Sequence, residues 1–162
     1  MLTLRPMKQN EYPAYCEYFI DDYSREIAEN YGHPLDLAIE MAQKALQLSF
    51  PNGLDTKQHA LLCLEISIDN QSNVVGYLWH AINTEDQATF IYDFYVNETY
   101  RGRGYAKQAI ALLEAQLQQQ SIKQIKLRVA YQNKRALKLY QALGFSISGF
   151  NMSKILEGPS KR

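Results

Sequence analysis

The hydrophobic pattern of this chain changes its period across a turn with two glycines and two arginines. Residues 88–96 are rich in aromatic and branched side chains, a composition typical of β-strands. From Arg103 onwards the apolar residues recur about every 3.6 positions, which predicts an amphipathic helix. A strand that leads directly into such a helix favours folds in which helices pack on a sheet.

The other segments continue the alternation of strands and helices. Turn-forming residues at 69–73 and 83–87 separate three apolar runs, which favours an antiparallel meander. We predict strands at residues 2–4, 59–68, 74–82, 88–96 and 125–129 and one or two more within 145–155, with helices at 11–29, 35–50, from 103 and after Asn133. This order predicts an α/β (mixed α+β) fold with a mostly antiparallel mixed sheet of six to seven strands and about four helices, in one domain.

Composition limits the function classes. Hydrophobic residues make up 46% of the chain and charged residues 21%, as in soluble globular proteins. The 17 basic residues balance the 17 acidic ones, which argues against nucleic acid as a partner. Residues 1–10 have no signal pattern and no apolar run approaches ~20 residues, so we expect a cytoplasmic protein that does not bind membranes. Cys16, Cys63 and three scattered histidines lack metal-binding spacing, so we expect no metal.

The glycine-arginine turn has two interpretations. It precedes a helix, whose first turn carries unpaired N–H groups and the positive end of the dipole, so it can bind an anion. Glycines would let that anion approach the backbone closely. A solvated turn that needs glycine for its geometry is the alternative. Lys107 stands where the dinucleotide fingerprint needs glycine, and neither Gly102 nor Gly104 fits a P-loop.

A second motif, "NKRALKLYQALGF" at residues 133–145, follows the predicted strand at 125–129. Together with "VNETYRGRGYA" at residues 96–106, it resembles the GNAT superfamily of acyl-CoA-dependent N-acyltransferases. The resemblance implies one GNAT-like domain over residues 1–162. It also implies an N-acetyltransferase that uses acetyl-CoA as co-substrate.

The resemblance assigns cofactor-binding roles to residues from both motifs. Residues of the 101–106 segment would bind the pyrophosphate of acetyl-CoA through backbone N–H groups. The end of the preceding strand would pair with the pantetheine arm, and a bulge there would direct an N–H at the thioester carbonyl. The cofactor-binding residues implied are Phe94, Tyr95, Val96, Arg101, Gly102, Arg103, Gly104, Tyr105, Ala106 and Asn133.

The resemblance also implies catalytic residues. Tyr140 occupies the position of the usual general acid, since a phenol can return a proton to the departing thiolate. It also lies on an apolar stripe, so it could instead be a packed tyrosine. Asp93, in "IYDFYV", is the candidate general base, where relatives often have Glu; alternatively it organises the bulge. His80 is a less favoured candidate base.

The acceptor site is the least specified part of the sequence. By resemblance, residues 21–34 would line it, and their carboxylates beside tyrosines suit a cationic amine of a small molecule or a peptide. The same charges fit a solvated helix face. The sequence leaves the acceptor unidentified, and the family allows a homodimer. A catalytically silent, acyl-CoA-binding or interaction module is the alternative function.

Overall fold

A computed structural model of the chain describes residues 1–158. Within them the chain forms five β-strands and four α-helices. The strands are β1 (Leu2–Pro6), β2 (His59–Ile68), β3 (Gln71–Asn83), β4 (Ala88–Val96) and β5 (Gln124–Leu127). The helices are α1 (Tyr12–Tyr31), α2 (Leu35–Ser49), α3 (Tyr105–Gln119) and α4 (Lys134–Ala142). The predicted order of these elements is confirmed.

The five strands form one sheet in the order β1-β2-β3-β4-β5. Neighbouring strands from β1 to β4 run antiparallel, and β5 joins β4 in parallel. The turn from β2 to β3 contains only Asp69 and Asn70, both with positive φ, as tight two-residue hairpins require. The mixed, mostly antiparallel sheet is therefore as predicted.

The predicted number of strands is wrong. Six to seven strands were expected, but within residues 1–158 the sheet has five, and residues 145–158 contain no strand. Their apolar side chains Ile147, Phe150, Met152 and Ile155 are exposed. Alternating apolar residues make a segment suitable for a sheet, but a strand exists only where a neighbour supplies the other half of each hydrogen bond.

The described chain divides into two compact units, Met1–Arg128 and a second that begins at Val129. The first contains the whole sheet with α1, α2 and α3. The second contains α4 and the residues that follow it.

One face of the sheet is covered by α1 and α2. The apolar core on this face contains Met7, Tyr15, Phe19, Leu46, Phe50, Leu61, Cys63 and Trp79. In β2 four successive residues, Leu61–Leu64, are buried, so this strand is covered on both faces. On α3, the predicted apolar stripe is Ala106, Ile110, Leu113 and Leu117; the last three are buried and Ala106 is partly buried. This helix contacts β1. The stripe found in the sequence therefore decides which side of α3 faces the protein.

An ion-pair network attaches the start of α1 to the sheet. The guanidinium of Arg5, in β1, donates to both carboxylate oxygens of Glu11 at 2.9 Å and to Glu65, in β2, at 2.8 Å. The hydrogen bonds from Arg5 lower the pKa of Glu11 to about 2. Residue Glu11 directly precedes α1, so this network helps to set where the helix lies over the sheet.

The backbone of β4 lies very close to β3 at Gly76. A Cβ atom built on Gly76 would overlap the carbonyl oxygen of Tyr95 and would lie 3.2 Å from the Cα atom of Val96. These atoms belong to backbone, which cannot rotate away as a flexible side chain can. Glycine is therefore required here by the closeness of β4, and Gly76 sets the position of the end of that strand.

We predict that Gly76→Ala lowers the free energy of unfolding by about 3 kcal/mol, because the new methyl group forces β3 and β4 apart. Chemical denaturation measures this change. Gly149→Ala is the matched control, since the space around its Cβ position is open and its φ is not in the left-handed region. Equal stabilities of the two variants would contradict the prediction.

Candidate active site

The strand β4 contains a bulge in its middle. Trp79 of β3 pairs with Asp93, whereas the next residue, His80, pairs with Ile91, so Tyr92 is an extra residue in β4. A bulge of this kind interrupts the alternation of side chains between the two faces of the sheet. The ring of Tyr92 stacks on that of Trp79 at 4.9 Å, and the carboxylate of Asp93 contacts α1. Both consecutive side chains therefore lie on the face that α1 covers.

Two tyrosine hydroxyls from α1 hold the carboxylate of Asp93. Tyr15 donates to Oδ2 at 2.9 Å and Tyr18 donates to Oδ1 at 3.2 Å. Burial raises the pKa of Asp93 to about 7, while the two hydrogen bonds act in the opposite direction. A carboxyl group that titrates near neutral pH suits a general base. The candidate base thus has a specific structural environment.

Further carboxylates lie along the same helix. Partial burial raises the pKa of both Asp22 and Glu26, and their charges also raise the pKa of Asp93. The charge of Arg101 lowers the pKa of Asp22, and the charge of Arg128 lowers the pKa of Glu26, so each opposes the effect of burial. The neighbourhood of Asp93 is therefore negatively charged, with arginines at its border.

The glycine-arginine turn has the geometry of an anion site. Gly102 and Gly104 both have positive φ, 78° and 81°, and nothing lies within 4 Å of the position of a Cβ atom at either glycine. The N–H of Gln108 donates to the carbonyl of Gly104 in the first turn of α3, so the N–H groups ahead of Gln108 have no partner within the helix. Open space at the two glycines, close in the chain to N–H groups that have no partner within the helix, fits a phosphate.

The helix α3 begins at Tyr105, two residues later than the change of period suggested. The reason is the left-handed conformation of Gly104, which cannot continue into a helix interior. Ala106 lies in the first turn of α3, where a small side chain leaves the backbone accessible.

The side chain of Arg101 is directed back to β4. Its Nε donates to the carbonyl oxygen of Val96 at 2.7 Å, and its guanidinium lies 5.5 Å from the ring centre of Tyr95. Arg103 lies at the same distance from the ring of Tyr100. In this structure Arg101 thus connects the turn to the end of β4, which leaves backbone groups to form the candidate anion site.

The end of β4 lies beyond its pairing with β5. The parallel pairing of the two strands stops at Ile91 and Leu127. The N–H of Asn97 donates to Val75 in β3, so by alternation the backbone groups of Val96 point away from β3. The bulge at Tyr92 precedes Phe94–Val96, the segment expected to pair with a pantetheine arm. A strand edge of this kind can accept an extended ligand.

The remaining predicted site residues, Asn133 and Tyr140, belong to the second compact unit. Asn133 caps α4, since its side-chain oxygen accepts a hydrogen bond from the N–H of Ala136 at 3.1 Å. Tyr140 lies near the end of the same helix, half-buried, with its ring edge-on to that of Phe145 at 5.6 Å. Both residues therefore have a local structural role in addition to any functional one.

His80, the other candidate base, is buried on the opposite face of the sheet. Its Nδ1 lies 2.8 Å from the hydroxyl of Thr89, which itself donates to the carbonyl of Ala81. Because the Thr89 hydrogen is used in this way, the Nδ1 of His80 carries the proton of their shared bond. Burial lowers the pKa of His80 to about 4. These facts favour Asp93 over His80 as the base.

The expected acceptor segment, residues 21–34, is mostly helical. The helix α1 extends to Tyr31, so only three residues separate it from α2. Asp21 forms an exposed ion pair with Arg25 at 2.9 Å, as on an ordinary solvated face. The side chains on this segment that influence Asp93 are Asp22 and Glu26.

Within residues 1–158, no group of three or more His, Cys, Asp or Glu side chains comes together as around a metal ion. Likewise, none of the helices in these residues is long and apolar enough to cross a membrane.

Tyr15 and Tyr18, the partners of Asp93, were not among the site residues predicted from the sequence. The signal was present, because Tyr12, Tyr15 and Tyr18 recur every three residues and therefore lie along one side of α1. Nothing in that spacing names Asp93, which is 75 residues further along the chain than Tyr18, as their partner.

We predict that ionisation of Asp93 destabilises the folded protein as the pH rises from about 4 to about 7. The folded state binds this proton more tightly than the unfolded chain, whose Asp titrates near 3.8. The contribution of Asp93 to stability is therefore highest below pH 3.8 and falls until the pH exceeds about 7. Asp93→Asn should remove this pH-dependent loss, which amounts to at most about 4 kcal/mol of the free energy of unfolding. Denaturation at several pH values measures it, with the exposed Asp86→Asn as control. Parallel curves for Asp93→Asn and wild type would contradict the prediction.

Comparison with known proteins agrees with this arrangement. The model of the acetyltransferase (GNAT) family matches residues 12–145. The "Uncharacterized N-acetyltransferase YycN" of Bacillus subtilis (strain 168) is 36% identical over 158 residues, which cover 96% of this chain and 99% of the relative. YdgE of the same organism, also described as an uncharacterized N-acetyltransferase, is 26% identical over 95% of this chain and 98% of its own length.

Solved structures show the same fold. The crystal structure of YycN from Bacillus subtilis superposes with a TM-score of 0.87, at 33% identity, over 98% of this chain and 100% of that one. The aminoglycoside N-acetyltransferase AAC(6')-Iy, in complex with a CoA-containing bisubstrate analogue, has a TM-score of 0.59 at 17% identity, over 98% and 99% of the two chains. The family match spans both compact units and both sequence motifs. This chain therefore belongs to the acetyltransferase (GNAT) family.

Proposed function

We propose that this protein is an N-acetyltransferase that transfers the acetyl group of acetyl-CoA to a primary amine, by direct attack in a ternary complex. The observation that carries the proposal is the candidate base Asp93, held by two hydroxyls in the same unit as an open, glycine-lined anion site. We also propose that residues 1–162 act as one domain, because the family match extends from 12 to 145.

The residues of the turn fit the pyrophosphate of acetyl-CoA. Backbone N–H groups at Gly104 and in the first turn of α3 would bind its oxygens, in the open space before the two glycines. The edge of β4 near Val96 would receive the pantetheine arm, and Asn133 would hydrogen-bond that arm. The AAC(6')-Iy structures that contain CoA support this choice of co-substrate.

The amine attacks in its neutral form, so a cationic acceptor first releases one proton to solvent. The acyl transfer itself then needs two proton transfers. Acetyl-CoA supplies a carbonyl carbon open to attack and a thiolate leaving group. As the new C–N bond forms and the C–S bond breaks, the amine nitrogen loses a proton and the sulfur gains one. Asp93 accepts the first proton, directly or through a water, and its pKa of about 7 suits the task. Tyr140 donates the second from its phenol. Direct transfer needs no cysteine.

The acceptor is a cationic amine of a small molecule or a peptide. Support comes from the charges around Asp93, since Asp22 and Glu26 favour a positively charged ligand over a neutral or anionic one. The aminoglycoside substrate of AAC(6')-Iy makes aminoglycosides one class to test.

We expect that Gly104→Val weakens acetyl-CoA binding at least tenfold, because a branched side chain fills the open space at Gly104 through which a phosphate would approach the backbone. Isothermal titration calorimetry measures the affinity. Gly32→Val is the matched control: Gly32 also has positive φ and open space around it, and it ends α1. Equal losses in both variants would place the effect in backbone strain and count against the anion site. Undetectable binding by the wild type would refute the proposed function.

We expect that the wild type releases free thiol from acetyl-CoA with at least one acceptor in a panel of polyamines, aminoglycosides and peptides. Tyr140→Phe should then lower kcat about 100-fold or more while acetyl-CoA affinity persists, because only the proton donor is lost. Tyr131→Phe, an exposed tyrosine of the same unit, is the control. Binding without turnover on any acceptor would instead indicate an acyl-CoA-binding module.

A further inference from the structure

One helix holds Asp93 at both of its carboxylate oxygens. The hydroxyls of Tyr15 and Tyr18 come from positions three apart on α1, so they lie on the same side of the helix. Each donates to a different oxygen, which determines the rotation of the carboxylate plane as well as its position. A single donor would leave that rotation undetermined.

The two donors are fixed by aromatic packing. Tyr15 has no exposed surface, and its ring packs edge-on against Tyr77 with centres 5.1 Å apart. The ring of Tyr18 lies 4.4 Å from that of Tyr95 and 5.6 Å from that of Tyr77. The Tyr15 hydroxyl cannot leave the carboxylate without movement of rings in the core, and the partly buried Tyr18 ring is held by its contacts with Tyr77 and Tyr95. The arrangement is therefore organised before any substrate arrives.

The other groups around Asp93 disfavour its charged form. From α1, Asp22 and Glu26 contribute negative charge, and burial adds its own penalty. From the sheet, Tyr77 and Tyr95 pack behind the two phenols. Both phenols have pKa values raised by burial and by Asp93, so they remain protonated donors. The hydroxyls of Tyr15 and Tyr18 thus oppose the burial and the neighbouring charges.

We infer that Tyr15 and Tyr18 are positioning residues, a two-point clamp that fixes the Asp93 carboxylate and stabilises its charged form for proton acceptance. The inference rests on the proposed function, because that function makes Asp93 the base. The two hydrogen bonds of the clamp can nevertheless be tested by the titration of Asp93, which needs no catalytic activity. Neither tyrosine accepts the proton from the amine.

The direct test is a titration of the Asp93 carboxyl carbon by NMR, with its signal assigned from its loss in Asp93→Asn. Removal of the Tyr18 hydroxyl in Tyr18→Phe takes away one stabilising hydrogen bond, so the midpoint should rise by about one pH unit. Tyr15→Phe should raise it as well. Tyr23→Phe, on the same helix and against Phe19, should leave it unchanged. An unchanged or lowered midpoint in both clamp variants would overturn the inference.

Activity gives a second, separable readout. With any accepted amine, the acid limb of kcat/KM in Tyr18→Phe should move to higher pH by the same amount as the NMR midpoint, so that activity well below both midpoints falls about tenfold. A limb that stays in place would overturn the clamp and leave the proposed function standing. A raised NMR midpoint in a protein that acetylates nothing would confirm the clamp's electrostatic part and refute the proposed function.

Discussion

The register shift between β3 and β4 decides where the carboxylate of Asp93, the candidate base, lies. One extra residue, Tyr92, turns Asp93 to the side of the sheet that α1 covers. With unbroken alternation the two neighbouring side chains would point to opposite faces, and the carboxylate would lie away from its tyrosine partners. Gly76 secures the position of β4 just beyond this point, because only glycine tolerates the approach of the Tyr95 backbone.

A buried carboxylate lowers the stability of a fold, and here the packing around it limits the loss. Tyr15 and Tyr18 supply hydrogen bonds to the charge, while their rings add to the core. The result is an acid that titrates near neutral pH inside a well-packed aromatic region. Such conflicts between stability and charge are typical of functional sites, because a base that is fully solvated has a pKa too low for the task.

The turn before α3 and the end of β4 act together. Arg101 bonds to the carbonyl of Val96 and lies against the ring of Tyr95, which in turn packs on Tyr18. Residues of the candidate anion site, the end of β4 and the proposed clamp are thus in continuous contact within the first unit. Arg101 stands out in the sequence as a positive charge next to a possible anion site. In this structure it fixes the position of the turn against the end of β4.

Much of the fold was predictable from periodicity. The bounds of β2 and β4 agree with the apolar runs, and the stripe on α3 is the buried one. The prediction of strands within residues 145–155 was wrong. Alternating apolar residues show that a segment can form a strand, but they do not ensure that another strand lies beside it to pair with. Helix α3 begins late because Gly104 adopts a left-handed conformation, which composition permits but does not require.

By itself, the sequence determined the order of the elements described, the glycine turn ahead of α3 and the cap at Asn133. These follow from local rules, since propensity, period and capping depend on residues a few positions apart. The candidates Asp93 and Tyr140 came instead from the resemblance of two motifs to the GNAT superfamily. Only the tertiary structure decided the bulge at Tyr92 and the partners of Asp93. Hydrogen bonds between residues more than 70 positions apart depend on how strand and helix pack, and no local pattern encodes that packing.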